Sequence, residues 1–386
     1  MQQLITVHLI KKQRSIIHKW LIFTIMKKQI LILMVALFAI TSAFGQTVHP
    51  IDCLVAAESP LFPALGKNYT YTVSVPNATQ FTGSPSLTYQ WFVTKSKTFI
   101  TSGNISAVKI PTGTGYDAVM ASGTFDNATN TAATVDIKWK STALTTVPYF
   151  LVVNVVGKNG VCDPRNMKIY KIVPANMFTL DIENVNVISS NAIVSTAVSQ
   201  CYQDIQSITW VDTDAANAKY DYGTNTLVWA VAAANWATSW TPTIKLTAAV
   251  NANETVSLTW NTAIDGTGTS GTFTTTDGIT WNTTAPVTTA VTGGFVGALG
   301  QVVYIRMELD HTTAATQWEG TSDIAVILAI DAVTANNDPD LHYTGTSAVC
   351  GVADGFTNDI AAVQTVKQRP SITTSPATVP FLIPIK

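Results

Sequence analysis

The chain has 386 residues, 47% hydrophobic and only 12% charged, with a formal net charge of −2. A charged fraction so far below the roughly 25% usual for soluble domains leaves Thr, Asn, Ser and Gly to supply the polar surface, a composition suited to exposed β-sheet. Residues 1–45 hold six of the 22 basic residues and no acid, so the remainder sets 16 basic against 24 acidic residues; it has no basic stripe for a phosphate backbone, and nucleic acid is excluded as an expected partner.

At the N-terminus Met26-Lys-Lys precedes the apolar run Ile30 to Ile40 and then Ser42-Ala-Phe-Gly45, with small residues at Ala43 and Gly45 before Gln46. Basic start, apolar core and small-residue exit are the layout of a secretory signal peptide. Residues 1–45 are therefore expected to be removed, with Met26 the expected start of translation. The apolar run is shorter than the ~20 residues of a spanning helix, and no later segment is apolar for long enough, so the mature chain is expected to carry no membrane span.

Residues 46–175 form a first expected module. Period-two alternation runs through Tyr69 to Val75, Leu87 to Val93 and Val135 to Trp139, each with one apolar face. Pro76-Asn77, Gly83-Ser-Pro85, Gly113-Thr-Gly115 and Asn159-Gly160 punctuate these runs as turns. One stretch then occurs twice in the chain. Phe150 to Val156 leads through a loop with Cys162 to Met167–Val173, and near the C-terminus Ile324 to Ile330 leads through a loop with Cys350 to Ile360–Val366. The strand before each cysteine is apolar at successive positions, as at the centre of a sandwich with both faces covered.

Tyr89-Gln-Trp91, a loop and the late strand from Tyr149 together resemble the immunoglobulin-like and PKD-like modules of exported proteins. The resemblance implies that Trp91 packs in the core. It extends to the general sandwich only, because Phe92-Val-Thr-Lys95 stands where PKD modules carry a Phe-Gly-Asp-Gly type of turn.

The second expected module covers residues 176–368. Its strand candidates are Phe178 to Val187, Thr226 to Val231, Thr243 to Val250, Thr255 to Trp260, Val302 to Leu309, Asp323 to Ala332 and Ile360 to Val366. Ala230 to Ala237 reads equally as a short helix or a strand end. Residues 369–386 carry Pro370, Pro376, Pro380 and Pro384, too close together for a central strand, and read as an extended tail. The fold class is thus all-β, two tandem immunoglobulin-like β-sandwich modules after a signal peptide. Signal peptide, Thr/Asn/Gly-rich sandwiches and Pro-rich tail together resemble surface proteins of Bacteroidota that accompany gliding motility and type IX secretion.

Four cysteines remain beyond residue 45, an even number in an exported chain, and disulfides are expected. Each module has one cysteine near its start and one in the repeated loop, which pairs Cys53 with Cys162 and Cys201 with Cys350. Asp331, Asn336, Asp338 and Asp340, with Asp354 and Asp359 nearby, offer hard oxygen donors at short spacing and resemble the calcium loops between cadherin-type sandwiches; the alternative is a solvated turn broken by Pro339. No other cofactor is indicated. Trp229, Trp236, Trp240, Trp260 and Trp281 crowd the second module; exposed on one face they would stack on sugar rings, and buried they are core. Gly266-Thr-Gly-Thr-Ser-Gly271 matches a dinucleotide fingerprint in letters, but a β-type run follows where a helix is needed, and a hairpin connection is the better reading. Asp277-Gly-Ile-Thr-Trp281 is similar to the Asp-box hairpin of sialidases with one residue missing, and its Asp-Gly pair suffices for a tight turn.

Catalysis has little support. Beyond residue 45 the only histidines are His49, His311 and His342, no Gly-x-Ser-x-Gly elbow occurs, and a His342–Cys350 nucleophile would be abolished by a disulfide at Cys350. The expected function is an exported, non-enzymatic cell-surface or adhesion component, with other surface or secretion-system proteins or an extracellular glycan as partner. A carbohydrate-binding protein using Trp229, Trp236, Trp240 and Trp281 is the alternative.

Overall fold

A computed structural model describes residues 58–120, 125–188, 191–194, 198–210, 218–250, 254–288, 294–311, 320, 322–341, 355–357 and 359–370. Residues 1–45, Cys53, His342, Cys350, Asp354 and the tail from residue 371 lie outside these. Among the described residues every regular element is a β-strand, apart from two single-turn 3-10 segments at Ala78–Gln80 and Ser141–Ala143. None of them forms a helix long and apolar enough to cross a membrane.

The first group of strands comprises β1 (Asn68–Thr72), β2 (Leu87–Thr94), β3 (Lys109–Ile110), β4 (Tyr116–Met120), β5 (Thr134–Trp139), β6 (Tyr149–Gly157) and β7 (Arg165–Ile172). They form a three-stranded sheet in the order β1-β5-β4 and a four-stranded sheet in the order β3-β2-β6-β7. Alternation decides which faces meet: Tyr69 and Tyr71 of β1, Val135, Ile137 and Trp139 of β5, and Tyr89, Trp91 and Val93 of β2 share one core with Leu151 and Val153 of β6. Each such burial is worth about 1.5–3 kcal/mol, so a slip by one residue, which turns every one of them outward, is strongly disfavoured. Trp91 is fully buried and its Nε1 donates to Ala132 O at 3.1 Å, as the sandwich resemblance implies. β2 and β6 are covered on their other face too, where Phe92 and Val152 pack with Ala107.

The second group has its own core. It comprises β8 (Thr179–Ile188), β9 (Asn191–Val194), β10 (Val198–Cys201), β11 (Thr224–Ala234), β12 (Ser239–Ala248), β13 (Thr255–Asn261), β14 (Ser270–Thr275), β15 (Thr280–Thr283), β16 (Gln301–Asp310), β17 (Ile324–Thr334) and β18 (Gln364–Lys367). Their order is β9-β8-β11-β16-β13-β14-β15-β12-β17-β18-β10, with Val287–Thr288 added on β12. All pairs along this path are antiparallel except β18 with β10. This single path folds over at β14, so that Trp229 and Val231 from one half face Ile244, Leu328 and Ile330 from the other.

Both copies of the repeated stretch become antiparallel neighbours, β6 with β7 and β17 with β18. In the second copy the strand after the loop is shorter than expected, since Ile360 makes only a bridge to Ala329. The expectation that Ile324–Ile330 is covered on both faces fails at Ala325, which is exposed, because only the face of Ile324, Val326, Leu328 and Ile330 meets the core. In the second group β11 is covered on both faces: Leu227, Trp229 and Val231 join the main core, while Val228, Ala230 and Ala232 pack with Val185 behind it. The ambiguous stretch from Ala230 is thereby a strand end.

The Gly-rich run closes the β13–β14 hairpin. Asn261 Oδ1 accepts from the backbone N–H of Ala263 (2.7 Å) and Gly268 (3.1 Å), and its Nδ2 donates to Gly266 O (3.0 Å). Gly271 lies against the Trp260 ring, where an added Cβ would stand 2.4 Å from Nε1. At the next turn Asp277 Oδ1 accepts from the N–H of Thr280 (2.7 Å) and Ile279 (2.8 Å) and from Thr275 Oγ1 (3.0 Å); these bonds hold the carboxyl down at about 2.

Contacts between the two groups lie at one end of each. Gly66 packs on Ala237, Lys67 Nζ sits 5.5 Å from the centroid of Phe295, and Asn176 Nδ2 donates to Pro339 O at 2.6 Å.

Candidate functional site

Where His, Glu, Tyr and Asn side chains converge among the described residues, they do so in a sealed position. His311, one residue past β16, and Glu254, one residue before β13, meet because Thr255 and Asp310 are directly paired. His311 Nδ1 lies 2.7 Å from Glu254 Oε1, which also accepts from Tyr202 Oη at 2.6 Å. On the other side His311 Nε2 is 2.9 Å from Asn225 Oδ1. The Asn225 amide is oriented by two further bonds, its Nδ2 donating to Cys201 O (2.9 Å) and its Oδ1 accepting from Gln203 N (3.1 Å), so Nε2 is a donor and the Nδ1–Oε1 contact holds one further hydrogen. Both side chains of the His–Glu contact are 0% exposed. Tyr202 covers the imidazole at 4.4 Å between ring centroids, and the Arg369 guanidinium lies over Tyr202 and Tyr222 at 4.8 and 4.1 Å. The network therefore ties β10, β11, β13, β16 and the chain following β18 at one end of the second core. In the sequence His311 and Glu254 are two isolated letters 57 positions apart, and nothing marks Asn225 or Tyr202 as their partners; only the β13–β16 register brings them together.

Of the expected calcium residues, Asp331 and Asp340 are neighbours, and Asp338 is bonded elsewhere. Asn336 is exposed at the turn after β17. Asp338 is turned back, its Oδ2 accepting from Thr334 Oγ1 at 3.0 Å while Thr334 N donates to Asp338 O at 2.9 Å. Asp340 lies elsewhere: its Oδ1 accepts from Ala332 N at 3.0 Å, and the carboxyls of Asp359 and Asp331 are within hydrogen-bonding reach. Among the described residues no group of three or more His, Cys, Asp or Glu side chains is placed to hold a metal ion, and Asp354 lies outside the described residues. Asp340 is 1% exposed, and burial, reinforced by Asp331, pushes its carboxyl up to about 7 against the bonds that lower it.

Trp229, Trp236, Trp240, Trp260 and Trp281 are all buried in the second core, Trp281 being the most accessible at 7%. Their inward phase follows the strands: Trp229 shares a face with Leu227 and Val231, and Trp260 with Leu258. Rings placed there are covered by the facing half of the sheet and present no platform to a sugar. Cys162 and Cys201 are exposed and not joined to each other; each expected disulfide has its other partner outside the described residues, as does the His342–Cys350 pair.

A cleft of about 680 Å³ lies in the first group, between β1 with its continuation to Asn77 and the start of β7. It is lined by Val73, Val75, Leu87, Val155, Met167 and Tyr170, with Arg165 and Lys168 at its rim.

No protein family matches the chain, and no curated protein matches it. Among solved structures it has distant similarity to the N-terminal domain of PorA (11% identity, 49% of this chain and 96% of that chain, TM-score 0.20). The major pilin subunit BcpA of Bacillus cereus is similar at 8% identity over 73% of this chain and 69% of that one, with TM-score 0.25. Zebrafish RET cadherin-like domains 1 to 4 are similar at 8% identity over 74% and 43%, with TM-score 0.20.

Proposed function

We propose that the chain is an exported, non-enzymatic component of the cell surface, structural or adhesive, in which two immunoglobulin-like β cores carry loops to a partner. The partner class is another surface or secretion-system protein, or an extracellular glycan met by the loops. The observation that carries the reading is the sealing of the His311–Glu254–Tyr202–Asn225 network: side chains able to do acid–base chemistry are spent on joining strands. The export signal at residues 26–45 and the Thr/Asn-rich surface agree with it, and recognition belongs by default to the connecting loops.

Acrylamide quenching of the tryptophan emission of residues 46–386, combined with a glycan array, tests this against the carbohydrate-binding alternative. The expected result is emission shielded in the folded chain and quenchable only after unfolding, with no glycan binding that depends on Trp229, Trp236, Trp240 or Trp281. Glycan binding lost on Trp→Ala substitution in a folded variant, or glycan turnover abolished by one Asp or Glu substitution, would overturn the reading.

A further inference from the structure

The cleft in the first group lies between two sheet edges. β1 ends the three-stranded sheet and β7 ends the four-stranded one, and β7 has no strand on its outer side among the described residues. Tyr170 Oη donates to Thr72 O at 3.4 Å and closes the cleft at one end; from there to Pro164 the slot holds Val73, Val75, Leu87, Val155 and Met167 among polar side chains, and it is bordered by the outer edge of β7, where no strand pairs among the described residues and Met167 N–H bonds the Asn166 side chain at 2.8 Å. Such an edge accepts one more strand, provided the strand brings apolar side chains on one face and free N–H groups on one edge.

The tail has that pattern. In an extended chain both side-chain face and backbone edge alternate with period two. Pro370, Pro376, Pro380 and Pro384 are all even-numbered, so the missing N–H groups fall along one edge, as suits a strand paired on one side only. The odd-numbered residues Ala377, Val379, Phe381, Ile383 and Ile385 keep their N–H groups on the other edge, and all five are apolar on one face.

The exit point of the tail decides whose cleft it fills. Arg369 is held over Tyr202 and Tyr222, beside the Thr224 end of β11. Contacts with the first group are made around Ala237, beyond the Ala234 end, about 33 Å away along the strand, and the cleft opens on the far side of those contacts. We propose that residues Ala377–Ile385 of one copy of this chain insert along β7 of a second copy, filling the cleft as an added strand. Such a contact joins unlike surfaces, so it propagates head to tail instead of closing into a dimer. This inference stands independently of the partner proposed above.

Sedimentation velocity on the complete chain from residue 46 tests it, with reductant present so that bridges through the exposed Cys162 are not counted. The wild type is expected to form concentration-dependent oligomers. The tail variant Phe381→Asp/Ile383→Asp and the cleft variant Val75→Arg are each expected to be monomeric alone and to give a one-to-one pair when mixed, because the mixture restores one tail and one cleft. A labelled peptide of residues 374–386 keeps the test valid if Val75→Arg is unfolded: it should bind the tail variant saturably. A wild type that stays monomeric at its highest soluble concentration, with peptide binding only the tail variant, would place the tail in its own cleft and overturn the proposal. Oligomers unchanged by the tail substitutions would overturn it too.

Discussion

Replacing Glu254 with Ala is expected to destabilise the folded chain by about 3–5 kcal/mol. The substitution leaves His311 Nδ1 and the Tyr202 hydroxyl facing the space the carboxylate filled, at a place where the His311 side chain is 0% exposed. Neither group can recover its bond from bulk water, and breaking a buried pair by removing one partner costs far more than replacing both. For a domain of this size that is a fall of roughly 6–20 °C in Tm. Thermal unfolding of Glu254→Ala, His311→Ala and the double variant checks the account. The double variant should cost clearly less than the two single losses together, because the second substitution removes a group the first has already orphaned. Additive losses would mean that the two side chains do not act as a pair.

Asp340→Asn is expected to flatten the pH dependence of stability between about pH 4 and pH 7. The Asp340 carboxyl is pushed up from its ordinary 3.8 to about 7, first by burial and then by Asp331. Over this window the folded chain holds a proton on Asp340 that the unfolded chain has released, so the contribution of this group to stability is fully present below about pH 4 and is lost as pH rises toward 7. A shift of this size corresponds to a loss on the order of 2–4 kcal/mol by pH 8, distributed among coupled acids. The Asn amide occupies the same volume, cannot ionise, and can donate to either neighbouring carboxylate. Denaturant unfolding at pH 4.5 and pH 8 should therefore show a smaller drop in the variant, with most of the difference at pH 8. Asp181 and Asp338 are also shifted upward by burial and act in the same direction in both proteins, so only the difference between them reports on Asp340. Parallel pH profiles would refute the assignment.

The fold was legible in the sequence wherever one apolar face alternates with a polar one. Tyr69–Tyr71, Val135–Trp139 and Leu258–Trp260 face inward as their phase predicts, because burying one face is enough to set a strand's register. The pattern was less informative where both faces are apolar: Ile324–Ile330 and Thr224–Ala234 look alike in composition, and only position in the sheet makes the second the strand covered on both sides. The candidate sites were legible in type but not in grouping. Asp338 and Asp340 are two letters apart, yet Asp338 turns back to Thr334 and Asp340 joins Asp331 and Asp359, a choice made by the bridge of Val333 to Pro339. The His311–Glu254 contact depends on strand pairing across 57 residues, for which a single sequence holds no local signal. The tryptophans, by contrast, followed the simplest physics: large rings in phase with Leu and Val go inside.

The central claim is that this chain is carried out of the cell and displayed. Protease treatment of intact source cells, with an intracellular protein as internal control, measures this directly. The account predicts that the chain, detected by an antibody to residues 46–386, is lost from intact cells while the control survives, and that the detected polypeptide begins at Gln46. A chain that survives protease until the cells are broken, or one that retains residues 26–45, would contradict it.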